Sequence, residues 1–150
     1  MKGRKQMKSK EINRMKLEFD AISQNEAFAR QTLSVFAASV DPTVEEISDL
    51  RVVVSEAVTN AVVHAYKNQG GKITLTASLY DNRSMKVRIK DTGCGIASIE
   101  ESMQPLFTTD PSGERGGMGF PIMQAMSHAF KVKSSLGKGT TLYITFKFSE

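Results

Sequence analysis

Apolar residues recur with a period of two in some stretches of the chain and at helical spacing in others. Leu17, Phe19 and Ala21 alternate with Lys16, Glu18 and Asp20, which predicts a strand from Met15 covered on one face. Ser23 and Glu26 have the spacing of a capping box, and Ala27, Phe28, Leu33, Phe36, Ala37 and Val40 follow at helical spacing. A second helix has two possible starts, Asp41 before Pro42 or Thr43 boxed with Glu46. Further on, Ile73, Leu75, Ala77 and Leu79 alternate with polar neighbours, residues 81–84 turn, and Met85, Val87 and Ile89 alternate with Lys86, Arg88 and Lys90. This is a hairpin with one apolar face. A short helix capped by Ser98, a helix opening at Phe120, a strand near Phe130–Ser134 and a last strand complete the pattern, with Thr140, Leu142, Ile144, Phe146 and Phe148 sharing one face. The order predicts an α/β (α+β) two-layer sandwich, a mixed or antiparallel sheet with helices on one face and a ligand pocket between the layers.

The second helix organises the rest. Ile47, Leu50, Val54, Ala57, Val58, Ala61, Val62 and Ala65 lie on one side of it, and Glu56 and Asn60 lie near the opposite side. Val52, Val53 and Val63 flank those two polar residues, so the helix is expected to be buried on both sides. A carboxylate and an amide held inside a protein require partners, and no basic residue lies between Val52 and Val63. Either a ligand pocket adjoins this helix, or Glu56 and Asn60 bond to neighbouring backbone.

Asp91 continues the parity of Met85, Val87 and Ile89 and therefore points toward the apolar layer. Gly93 and Gly95 follow at once, where another molecule can approach the backbone closely. Residues 104–117 show no periodicity, the pattern of a lid rather than a plain connector. Gly117 and Gly119 then feed a helix N-terminus with Pro121 in its first turn, a donor-rich place for an anion.

With 40% hydrophobic and 24% charged residues in 150, the composition fits one soluble domain with a sizeable core. No run approaches the roughly 18 apolar residues of a membrane span, and the N-terminus lacks the apolar core of a secretory signal. These features predict a cytoplasmic protein with no membrane partner. Cys94 is the single cysteine and cannot form a disulfide within the chain. The net charge of +4 is uneven, because residues 1–14 carry six cations against Glu11 and the remainder is close to neutral. Residues 1–14 therefore read as a basic, disordered leader before a single domain over 15–150, and direct nucleic-acid binding is not expected.

Four features now coincide: Glu56 with Asn60 on a buried helix, Asp91 with Gly93 and Gly95 ending a strand, Gly117 with Gly119 opening a helix, and Gly137, Gly139 and Thr140 entering the last strand. In this order and spacing they resemble the nucleotide-binding module of the GHKL superfamily. The runs 55–61, 104–109, 117–120 and 139–141 are similar to the anti-sigma serine kinases within it, in particular their sporulation branch in endospore-forming bacteria.

The resemblance implies ATP and magnesium as ligands, with transfer of the γ-phosphoryl group to a serine of an anti-anti-sigma protein. It implies Glu56 as general base, Asn60 as magnesium ligand, and Asp91, Gly93, Gly95 and Thr140 around the adenine. Gly117 and Gly119 would meet the phosphates, Thr108 and Thr109 would close over them, and Arg115 would neutralise the γ-phosphate. Arg30 would contact a sigma factor, and the protein would act as a homodimer. Three other readings compete: a stress-response anti-sigma kinase, a nucleotide-gated anti-sigma module without transfer, and a detached histidine-kinase catalytic domain. The last would phosphorylate histidine rather than serine.

Overall fold

The computed structural model describes residues 8–104 and 118–149. Its elements run β1 (Glu11–Asp20), α1 (Gln24–Ala37), a 3-10 turn (Ala38–Val40), α2 (Val44–Asn60), a π-helical segment (Ala61–Ala65), β2 (Lys72–Tyr80), β3 (Ser84–Asp91), α3 (Ile99–Ser102), α4 (Phe120–Met126), β4 (Ala129–Ser135) and β5 (Gly139–Lys147). The five strands form one sheet in the order β1-β2-β3-β5-β4, with every neighbouring pair antiparallel.

Register carries the period-two pattern across the sheet. Leu17, Leu75, Ile89, Leu142 and Val132 stand in one cross-strand row, and Met15, Ala77, Val87, Ile144 and Phe130 in the next. Both rows face the helical layer, where Leu33 of α1 and Leu50, Val54 and Val58 of α2 are fully buried. The result is the two-layer sandwich expected, with an antiparallel sheet.

The structure departs from the sequence expectations at several points. β1 begins at Glu11, so residues 11–14 of the expected leader are strand; main-chain pairing with β2 holds them, although their side chains are exposed. α1 starts where expected, but Ser23 makes no side-chain cap. Its intended partner Glu26 instead accepts hydrogen bonds from Arg30 and Ser55, so a contact between helices displaces the local box. At α2 the alternative is resolved in favour of Thr43 and Glu46, which form both bonds of a capping box. The organising helix is not buried all round, because Val63 is 40% exposed.

Candidate functional site

A cleft lies between the end of α2 and the Asp91 end of β3. Ala57, Asn60, Ala61, His64 and Ala65 form its helical wall, Ile89, Asp91, Thr140 and Leu142 its sheet wall, and Cys94, Gly95, Ile96, Met118 and Phe120 its rim. Its volume is about 140 Å³, comparable to an engineered cavity that admits a single aromatic ring.

Asp91 is the polar centre of the sheet wall. Strand parity turns its side chain inward and leaves it 9% exposed. Its Oδ1 accepts the backbone N–H of Gly93 at 3.0 Å and of Thr140 at 3.2 Å. Among the described residues no hydrogen bond falls on Oδ2. Burial raises the carboxyl above its ordinary value, and the two N–H donors offset only part of that rise. The Thr140 hydroxyl is 2.8 Å from the Ser134 hydroxyl, which also receives the Ile96 N–H at 2.8 Å. A single, partly buried network therefore joins β3, β5, β4 and the loop after Asp91.

That loop is fastened to the end of the helix. Cys94 donates its N–H to the Ala65 carbonyl at 3.0 Å, and the Tyr66 hydroxyl accepts the Thr92 N–H at 2.8 Å while bonding the Lys72 carbonyl. Gly93 sits so close that a Cβ would lie 2.4 Å from the Ala65 carbonyl oxygen. It does not line the cleft; its part in the site is to let the loop approach and to hold Asp91. Gly95 lines the rim.

Around Ala61–Ala65 the helix widens, with the Tyr66 N–H bonding the Ala61 carbonyl five residues back. Such widening is frequent at functional sites, and here it forms the wall bearing Ala61, His64 and Ala65. The sequence reading assumed regular helix through this segment. The small residues Ala57, Ala61 and Ala65, each four apart, were the available signal that this face leaves room.

At the other end of the cleft, Asn60 donates its side-chain N–H to the Met118 carbonyl, which leaves its amide oxygen as an acceptor. Glu56 lies one turn earlier, half-buried, and is not part of the described cleft wall. Its carboxylate rests against Gly119: a Cβ there would lie 2.5 Å from Oε2, and Gly119 has φ 65°. Both the contact and the left-handed backbone call for glycine, which caps α4. Thr108, Thr109, Arg115 and Gly117 lie outside the described residues. Arg30 is elsewhere, in the seam of α1 and α2, bonded to Glu26 at 3.1 Å and Ser55 at 3.3 Å.

The residues present fit a nucleotide. An acceptor with a free oxygen faces a ring-sized apolar cleft, and a carboxylate and an amide stand together beyond it. No cluster of three or more His, Cys, Asp or Glu suited to a metal occurs among the described residues; the Asn60 amide oxygen is of the hard-oxygen type that suits magnesium.

Residues 20–146 match the model of the histidine kinase-like ATPase domain. The chain is 47% identical to an anti-sigma F factor of Clostridium acetobutylicum over 91% of its length and 95% of the relative. It is 49% identical to an anti-sigma F factor of Caldanaerobacter subterraneus subsp. tengcongensis, covering 89% of this chain and 92% of that one. The solved RsbU and RsbW domains of a Mycobacterium tuberculosis protein superpose with a TM-score of 0.66 at 21% identity, covering 93% of this chain and 33% of the other, a likeness of fold alone.

Proposed function

The chain belongs to the anti-sigma F factor family of histidine kinase-like ATPase domains, and from that premise we propose that it binds a sporulation sigma factor and uses Mg-ATP to phosphorylate a serine of an anti-anti-sigma protein. The observation that carries the reading is a cleft with Asp91 beside its ring-sized space and Asn60 at its other end, with the Glu56 carboxylate one helical turn from Asn60 and against Gly119.

In this reading Asp91 Oδ2 accepts the adenine amino group, while Ile89, Ile96, Met118 and Leu142 cover the ring faces. An oxo group in place of the amino group would leave Asp91 facing another acceptor, which selects adenine over guanine. Asn60 would hold magnesium through its amide oxygen, and the ion would supply charge neutralisation at the phosphates. Glu56 accepts the serine hydroxyl proton as the serine oxygen bonds to the γ-phosphorus and the bond to ADP breaks. The N–H groups of Gly117 and Gly119 receive phosphate oxygens, and Arg115 with Thr108 and Thr109 closes the γ-phosphate end. Retention of a carboxylate at position 56 supports transfer over nucleotide-gated binding alone, since binding needs no base.

Arg30 serves the sigma factor from the seam of α1 and α2, where it is partly exposed, and two copies pair in a cytoplasmic homodimer. No helix among the described residues is long and apolar enough to cross a membrane.

Incubating the protein with labelled Mg-ATP and the candidate anti-anti-sigma protein tests the proposal. Acid-stable label on a partner serine is the expected result; acid-labile label would indicate phosphohistidine and overturn it. ATP binding without any transfer would favour the gated binding module.

A further inference from the structure

The sheet has a second face, turned away from the helices, and cations are concentrated on it. Arg14 and Lys16 on β1, Lys86, Arg88 and Lys90 on β3, and Lys131 and Lys133 on β4 all project from it and are exposed. Register gathers them: Lys16, Thr76, Arg88, Tyr143 and Lys131 form one cross-strand row, and Arg14, Ser78 and Lys86 lie in the next. None of these cations is ion-paired among the described residues. The acids of this face, Glu11, Glu18 and Asp20, stand on the edge strand, and Asp20 is paired with Lys72 at 2.6 Å. Others that balance the total, Glu45, Glu46 and Asp49, are on α2 in the opposite layer. Summed over residues 15–150 the charge nearly cancels; in space it is segregated.

Within this face is a groove of about 250 Å³ lined by Arg14, Thr76, Ser78, Lys86, Arg88 and Tyr143. Thr76 is its polar floor. It is only 8% exposed, and its Oγ1 is buried with no hydrogen-bond partner, an unmet group beneath three cations. Tyr143 is 36% exposed on the central row, with the Lys133 ammonium 5.5 Å from its ring centroid.

The chemistry distinguishes the occupant. Protein interfaces are depleted in lysine and centre on apolar anchors, whereas nucleic-acid interfaces are strongly basic. This face is rich in lysine, and Tyr143 is its central apolar group. A flat strand surface carrying cations and an aromatic ring suits unpaired bases rather than a duplex groove. We propose that the open sheet face binds single-stranded nucleic acid, a backbone phosphate seating between Arg14, Lys86 and Arg88 above the Thr76 hydroxyl and a base stacking on Tyr143.

Fluorescence anisotropy of a labelled 12-nucleotide uridine strand with the full chain tests this. Binding should weaken roughly tenfold or more between 50 and 200 mM salt, as three or more phosphate contacts require. The triple variant Arg14→Ala/Lys86→Ala/Arg88→Ala should lose most of the affinity, and Tyr143→Ala about tenfold, both with unchanged circular dichroism and ATP affinity. Binding that is absent at low salt overturns the proposal. So does binding that survives the triple variant, which would place the contact in the basic N-terminal residues, or a polyglutamate chain that competes as well as the oligonucleotide.

Discussion

Strand β3 shows the contrast between the two faces of the sheet within eight residues. Met85, Val87, Ile89 and Asp91 point to the helical layer, and Lys86, Arg88 and Lys90 to the open side. The inner set builds a core and ends in one carboxylate whose burial two backbone donors offset only in part; the outer set is solvated cation. One strand can therefore serve two unrelated chemistries, because the pleat separates them with a period of two. Buried polar groups on the inner face are costly and few, so each marks a site. On the outer face charge is inexpensive, and only its segregation and the unmet Thr76 hydroxyl carry information.

The contrast can be broken most severely at the inner face. Glu56→Gln should lower phosphotransfer by about 10²–10⁴-fold, the contribution of a general base, with ATP affinity retained; single-turnover assays measure it. Met85→Ala, which empties a fully buried position, should cost about 2–5 kcal/mol in denaturant melts. Its neighbour Lys86→Ala, on the other face, should stay within about 0.5 kcal/mol. A similar cost for both would mean that the two faces are not distinct.

Asp91→Asn sharpens the comparison through pH. Replacing an acceptor by an amide opposite the adenine amino group should weaken ATP binding by about 10–100-fold, read by calorimetric titration. Stability should move the other way. A carboxyl whose folded pKa is raised binds its proton more readily when folded. Its contribution to stability is therefore full below the unfolded pKa and is lost as pH rises through the folded one. At neutral pH the nucleotide-free Asp91→Asn protein should melt no lower than the parent, and any advantage should shrink as pH falls into the acid range. A site that favours ligand at the expense of the empty fold behaves in this way.

Much of this was legible beforehand. Alternation in 73–80, 85–91 and 140–148 fixed both the strands and their buried faces, and so the inward aim of Asp91 and Thr140. What escaped depends on contacts between distant segments. Glu26 left its expected box for Arg30 and Ser55, a choice made by the packing of α1 on α2. β1 extends to Glu11 because its backbone has a partner in β2, whatever its side chains do. The widening at Ala61–Ala65 has no pattern in the sequence that a regular helix would not also have. Gly93 was legible as a place of close approach, but its approach to the Ala65 carbonyl was not. The basic face was hidden because a sum over the chain contains no geometry.

The most direct test of the central claim, that two carboxylates divide binding from transfer, is the ATP affinity of Glu56→Gln titrated beside Asp91→Asn. Near-parental affinity for Glu56→Gln and a large loss for Asp91→Asn are the results the account predicts. Loss of binding in Glu56→Gln, or parental affinity in Asp91→Asn, would contradict it.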